Sequence, residues 1–131
     1  MDPHSAAHGS LCFLVADDHF DTRIILRHYL EAMGHRVVEA SDGAEALEVV
    51  RAEHPDAVVL DIQMPVMDGI QVMRVIRADP ELAGLPVLAL SAHALSDEVR
   101  EITAAGADRY LAKPAHPREV HAVLTALVGE R

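Results

Sequence analysis

Residues 57–69 read Ala57-Val58-Val59-Leu60-Asp61-Ile62-Gln63-Met64-Pro65-Val66-Met67-Asp68-Gly69. The run Ala57–Leu60 is apolar throughout and too short for a helix, which is how a strand covered on both faces looks. An acid, Asp61, ends it. A loop carrying Pro65 follows, and Asp68-Gly69 opens a new pattern. Gly69, Val72, Met73 and Ile76 form a helical stripe that closes before Pro80. Asp68 is placed to cap that helix, whereas Asp61 has no helix to cap directly. One buried strand, one acid at its carboxyl end and one amphipathic helix make a single βα unit.

The same unit recurs on both sides. Leu11–Ala16, Arg36–Ala40, Pro86–Leu90 and Arg109–Ala112 are further short runs bounded by turn residues, and each predicts a strand. Between them, Leu26, Tyr29, Leu30 and Met33 mark a helix stopped by Gly34. Asp42 and Glu45 cap a second helix that runs through Glu53. Ser96 is expected to cap a fourth helix, with Asp97 and Glu98 in its first turn and Val99, Ile102 and Ala105 inside. Pro117 takes a first helical position ahead of Val120, Val123, Leu124, Leu127 and Val128. Five alternations predict an α/β, flavodoxin-like (βα)5 fold, a five-stranded parallel sheet in order 2-1-3-4-5 with helices on both faces. Residues 1–10 are small and polar without period and are expected to be a disordered tail. Residues 11–131 form the one domain.

Composition narrows the function. The 131 residues carry 11 Lys and Arg against 21 Asp and Glu, a net charge of −10. Such a field repels nucleic acid and anionic lipid and suits a basic partner or a hard cation. With no Trp, two Tyr and two Phe, stacking on nucleic-acid bases has little to work with. No apolar run approaches the roughly 18 residues of a membrane span. A single cysteine, Cys12, excludes an internal disulfide and reads as a small buried hydrophobe in a cytoplasmic protein.

In this class of sheet, ligands bind outside the carboxyl ends of the strands, where strands 1 and 3 diverge. Strand 1 ends in Asp17-Asp18, strand 3 in Asp61, strand 4 in Ser91 and strand 5 in Lys113-Pro114. Lys113 is the only lysine in the chain. For Asp18 alone, capping the next helix is the ordinary role. Three Asp, one Ser and the lone lysine at four strand ends are another matter. Crowded carboxylates raise one another's pKa unless a cation compensates, and Mg²⁺ takes one or two carboxylates together with phosphate oxygens. A lysine and a hydroxyl can hold the remaining oxygens of a phosphoryl group.

Taken in order, Leu14-Val15-Ala16-Asp17-Asp18, Asp42-Gly43-Ala44-Glu45-Ala46-Leu47, Leu60–Gly69, Leu90-Ser91-Ala92 and Ala105–Pro114 resemble the receiver (response-regulator) domain of two-component signalling. The resemblance spans residues 11–128. It implies that Asp61 is the phosphoacceptor and forms an acyl phosphate. It implies Mg²⁺ held by Asp18, Asp61 and the backbone carbonyl of Gln63, with Asp17 acting through water. Lys113 and Ser91 would hold phosphoryl oxygens, and Ser91 with Tyr110 would form the switch. The Lys113–Pro114 peptide is expected to be cis. Gln63 and His93 would flank the attacking water and tune the lifetime of the phosphate. The implied partners are a histidine kinase or histidine phosphotransfer protein and a downstream protein, with no DNA and no membrane. The implied protein is a monomer or weak dimer that signals in a phosphorelay and is not an enzyme.

Several residues depart from the family pattern. Ser91 stands where Thr is commoner and Arg109 where an acid is frequent. The Lys, Asp and Arg pattern of dimerising DNA-binding regulators is not evident. Ser91-Ala92-His93-Ala94 is closer to receivers of hybrid histidine kinases and stand-alone phosphorelay proteins, so excision from a hybrid kinase is one alternative. A haloacid-dehalogenase-like phosphatase is another, but it wants an Asp where Gln63 stands. A flavin site would need a Ser/Thr/Gly-rich loop in place of Asp17-Asp18-His19-Phe20-Asp21. Eight of the nine histidines are expected to be solvated surface residues. Met64, Met67 and Met73 are expected to fill loop and core.

Overall fold

The structure, a computed structural model, describes residues 10–92 and 95–130. His93 and all but the last residue of the predicted tail lie outside them. Five parallel strands are observed: β1 (Cys12–Ala16), β2 (Arg36–Ala40), β3 (Ala57–Asp61), β4 (Val87–Ser91) and β5 (Arg109–Ala112). They stand in the order β2-β1-β3-β4-β5. The connecting helices are α1 (Phe20–Ala32), α2 (Gly43–Glu53), α3 (Gly69–Ala78), α4 (Ser96–Ala105) and, after β5, α5 (Pro117–Gly129).

The period-2 alternation of the strands builds two separate cores. Leu14, Val58, Leu60, Val87 and Ala89 face α2, α3 and α4. Phe13, Val15, Val59, Leu88 and Leu90 face α1 and α5 through Leu26, Leu30, Val120, Leu124 and Leu127. Met64 and Met73 are buried in the first of these cores, and half-buried Met67 packs against it.

The helix starts follow local chemistry. Asp42 accepts the Glu45 N–H at α2, and Asp68 with Gln71 forms a reciprocal capping box at α3. Ser96, expected as a cap, is instead the first residue of α4. Leu95 holds the cap position and offers no side-chain bond. At α1 the cap position belongs to His19, so Asp18 does not cap and is left to the pocket described below. β4 starts one residue later than expected because Pro86 has no N–H for the ladder. Its carbonyl still accepts from Val58.

Two expectations about side chains fail. Cys12 is only half-buried, and its Sγ lies 3.0 Å from Arg36 Nη1. β2 is an edge strand, which leaves this side of β1 open to solvent. His35 is 7 % exposed, not solvated. Its Nδ1 accepts the Leu11 N–H at 3.2 Å, and its Nε2 lies 3.0 Å from Nε2 of His121 on α5.

The β3–α3 loop sets the geometry of the site. The Gly69 N–H donates to the Ile62 carbonyl at 2.8 Å. A Cβ on Gly69 would meet the Asp61 carbonyl oxygen at 2.7 Å, so only glycine lets α3 start this close to the end of β3. At the loop tip Val66 has φ +69° and is 80 % exposed. The Met67 N–H bonds to the Pro65 carbonyl at 2.7 Å across it, a tight γ-turn that a β-branched residue adopts only under strain.

Candidate functional site: an acidic pocket at the carboxyl ends of the strands

Because β1 and β3 are neighbours, Asp17 and Asp61 are brought together from 44 residues apart in sequence. Asp17 is 1 % and Asp61 2 % exposed. Asp17 Oδ1 accepts the His19 backbone N–H at 2.8 Å, and its Oδ2 accepts from Lys113 Nζ at 3.0 Å. Lys113 Nζ also lies 3.2 Å from Asp61 Oδ1, so the single ammonium bridges the two buried acids. The Lys113 N–H donates to the Ser91 carbonyl at 2.8 Å, which fixes the start of the lysine against the end of β4. The Lys113–Pro114 peptide is cis, as expected. Asp18 is exposed, and its Oδ1 lies 3.1 Å from His19 Nδ1.

One atom stands out. Asp61 Oδ2 is buried and has no hydrogen-bond partner among the described residues, while Oδ1 takes the Gln63 N–H at a long 3.3 Å. A buried carboxylate oxygen left without a donor is costly. Burial, and after it the charge of Asp17, push the Asp61 pKa up to about 6, against the opposing pull of Lys113. For Lys113, burial works against the ammonium. The hydrogen bond to Asp17 and the charges of both acids outweigh it, and the lysine pKa ends above its ordinary value.

Asp17, Asp18, His19 and Asp61 each present a donor atom, and all four atoms lie within 4.8 Å of one another. Three carboxylates around an orphaned buried oxygen fit a hard divalent cation such as Mg²⁺. Gln63 is exposed at the rim, tied to Asp61 through its backbone amide.

The remaining candidates surround this pocket. Ser91 is fully buried at the end of β4, and its hydroxyl donates to the carboxylate of Glu98 on α4. Tyr110 on β5 packs against the α2–α4 core. Its phenol oxygen is buried and has no hydrogen-bond partner among the described residues. The structure therefore unites Asp17, Asp18, Asp61 and Lys113, and it sets the Ser91 hydroxyl toward α4. Sequence reasoning missed His19 and Glu98. His19 directly follows the acid pair, which was a usable signal. Glu98 lies seven residues past Ser91, and only the fold brings them together. Beside the pocket an apolar groove runs between α1 and the β5–α5 loop, lined by Ile25, Leu26, Leu90, Ala92, Pro114 and Pro117.

Comparison with known proteins agrees with this geometry. The response regulator receiver domain matches residues 13–125, and the chain belongs to that family. It is 42% identical over 117 residues to a probable transcriptional regulator, ycf27, of Guillardia theta, covering 88% of this chain and 44% of that protein. It is 30% identical over 115 residues to the polar-differentiation response regulator DivK of Brucella ovis, covering 87% of this chain and 94% of the other. The receiver domain of sensor histidine kinase PA1611 of Pseudomonas aeruginosa superposes with a TM-score of 0.84 at 30% identity, covering 92% of this chain and 98% of that one. That structure has a magnesium ion coordinated in its active-site cleft. The chain spans about half the length of the transcriptional regulators it matches. The dehalogenase and flavin alternatives are set aside by the family match. Among the described residues no helix is long and apolar enough to cross a membrane.

Proposed function

We propose that residues 11–131 act as a phosphorylatable switch with Asp61 as the acceptor. The observation that carries this is Asp61 Oδ2, a buried carboxylate oxygen with no hydrogen-bond partner among the described residues, on a side chain flanked by Asp17 and Lys113. With a pKa of about 6 the group is ionised at neutral pH and nucleophilic. Its oxygen attacks phosphorus of a phosphohistidine; the P–O bond forms as the P–N bond breaks, and the imidazole departs. Lys113, 3.2 Å from Asp61, would then hold a phosphoryl oxygen. Asp17, Asp18 and the Gln63 carbonyl would join Asp61 in holding Mg²⁺, which supplies neutralising charge for the transferred group when bound. The Ser91 hydroxyl would turn from Glu98 to the phosphoryl group, with Tyr110 moving in response. Gln63 and His93 would set how fast water removes the phosphate.

The donor is a histidine kinase or histidine phosphotransfer protein, and the apolar groove beside α1 suits the face of a helix that carries the phosphohistidine. Output passes through α4, β5 and α5 to a protein partner, and the domain itself binds no DNA. It works in the cytoplasm as a monomer or weak dimer, as a carrier of the phosphoryl group and not as an enzyme. The test is intact-mass spectrometry after incubation with acetyl phosphate and Mg²⁺. The chain gains one phosphate and Asp61→Asn gains none; phosphate uptake by the Asn variant would refute the assignment.

A further inference from the structure

We propose that His19 is a nitrogen ligand of the cation site, which gives this pocket a preference for first-row transition dications such as Co²⁺ over Mg²⁺. The inference rests on the cation-binding role proposed above and adds a residue to it.

The geometry comes first. His19 Nδ1 lies 3.1 Å from Asp17 Oδ1 and 3.1 Å from Asp18 Oδ1. An octahedral cation about 2.2 Å from each donor holds cis ligands roughly 3.1 Å apart. The imidazole nitrogen thus stands at cis-ligand spacing from each of two carboxylate oxygens. The fourth donor, from Asp61, lies within 4.8 Å of the others, and the unpartnered Oδ2 belongs to the same carboxylate. An acidic cluster alone would say little, but a buried carboxylate oxygen without a hydrogen bond on one of its members fits a cation ligand.

Without a cation Nδ1 can donate to these carboxylates, and ligation moves that proton to Nε2; tautomer chemistry allows this at His19 and separates it from the close His35–His121 pair. To ligate through Nδ1, a neutral imidazole must carry its proton on Nε2. The His19 side chain is 67% exposed, so water can serve Nε2. His35 has the reverse arrangement. Its Nδ1 is engaged by the Leu11 N–H, which keeps the proton on Nε2, the atom facing His121. That pair is a hydrogen bond and not a metal site.

The consequence is selectivity. Carboxylate oxygens alone suit Mg²⁺ and discriminate weakly among dications. An imidazole adds little for Mg²⁺ and progressively more along Mn²⁺, Fe²⁺, Co²⁺ and Ni²⁺.

The test titrates the full chain, His19→Ala and His19→Gln with Mg²⁺ and Co²⁺ by calorimetry, and records nitrogen hyperfine coupling to bound Mn²⁺ by pulsed electron paramagnetic resonance. We expect Co²⁺ to bind the wild-type chain at least about tenfold more tightly than Mg²⁺. Both variants should lose about tenfold in Co²⁺ affinity with Mg²⁺ affinity moving less than about threefold. Nitrogen coupling should be present in the wild type and absent from both variants. Equal losses for the two metals, no loss at all, or no nitrogen coupling in the wild type would overturn the proposal. The Mg²⁺-dependent gain of phosphate from acetyl phosphate is read separately on the wild type. Its failure would count against the phosphoacceptor assignment, whatever the metal preference.

Discussion

The one hydroxyl proton of Ser91 is donated to Glu98, the third residue of α4. A serine hydroxyl has a single proton to give, so it cannot serve Glu98 and a phosphoryl oxygen at once. In the proposed switch Glu98 would therefore compete with a phosphorylated Asp61 for the same donor. Breaking the Ser91–Glu98 bond would then link the pocket directly to the first turn of α4. Glu98→Ala is expected to bind beryllofluoride, a phosphoryl mimic, severalfold more tightly in the presence of Mg²⁺, about 1 kcal/mol. In a Ser91→Ala background the same substitution should have no effect, since the bond is already gone. Calorimetry on the four proteins of that cycle measures the coupling, and equal effects in both backgrounds would refute it.

The raised pKa of Asp61 carries a stability consequence. The folded group titrates near 6 against an ordinary 3.8, so between those values the native state holds more protons than the unfolded one. Its contribution is present in full below about pH 3.8 and is lost as pH rises through 6. Without divalent cations, Asp61→Asn should be more stable than wild type at pH 7.5 by about 2 kcal/mol, with the gap closing toward pH 4. Added Mg²⁺ should stabilise the wild type far more than the variant. Urea melts across this range, with and without Mg²⁺, check both statements.

The His35–His121 pair titrates in the opposite sense. Burial first, then the nearby His121 charge, lower the His35 pKa against the weaker pull of Asp56. Burial lowers that of His121 as well. The unfolded chain thus binds protons before the native one, and stability falls as pH drops below about 6.5. His121→Gln removes one titrating ring and keeps an oxygen that can accept from His35 Nε2. Its stability should match wild type within about 0.5 kcal/mol at pH 8 and fall less steeply toward pH 5. An unchanged slope in thermal melts would show that the pair does not control the acid response.

Val66 holds a positive φ with a branched side chain that touches little. Val66→Gly relieves strain of about 1–3 kcal/mol and gives back part of that as chain entropy in the unfolded state. A net gain of about 1 kcal/mol is expected in urea unfolding, with phosphate uptake from acetyl phosphate unchanged. A destabilised variant would mean that the turn is not strained.

Much of this protein is written locally in its chain. Ala57–Leu60 announces a buried strand, Asp68 and Gln71 a capping box, and Pro117 a helix start, because each depends on neighbours in sequence. Placing the acids at strand ends needed only the βα alternation and the rule that ligands bind there. What stayed hidden depends on contacts between distant elements. His35 sits at the end of the three-residue connection between α1 and β2, where there is no periodicity, and only the packing of α5 brings His121 to it. The bond from Ser91 to Glu98 depends on how α4 swings back over β4. The half-exposure of Cys12 depends on which strand lies at the edge. The strain at Val66 is invisible because a loop valine gives no sign of its φ.

The hydrogen bond between Ile62 and Gly69 closes the β3–α3 segment at its base, so residues 63–68 form a loop pinned at its neck. The neck is sterically full: a Cβ on Gly69 would strike the Asp61 carbonyl, while the tip at Val66 is bare. The loop meets the Asp61 carboxylate at its first residue, where the Gln63 N–H lies 3.3 Å from Oδ1, while its tip stands out in solvent. Changes at its exposed tip would therefore alter the surface offered to a partner with little effect on the carboxylate, and changes at its neck would do the reverse.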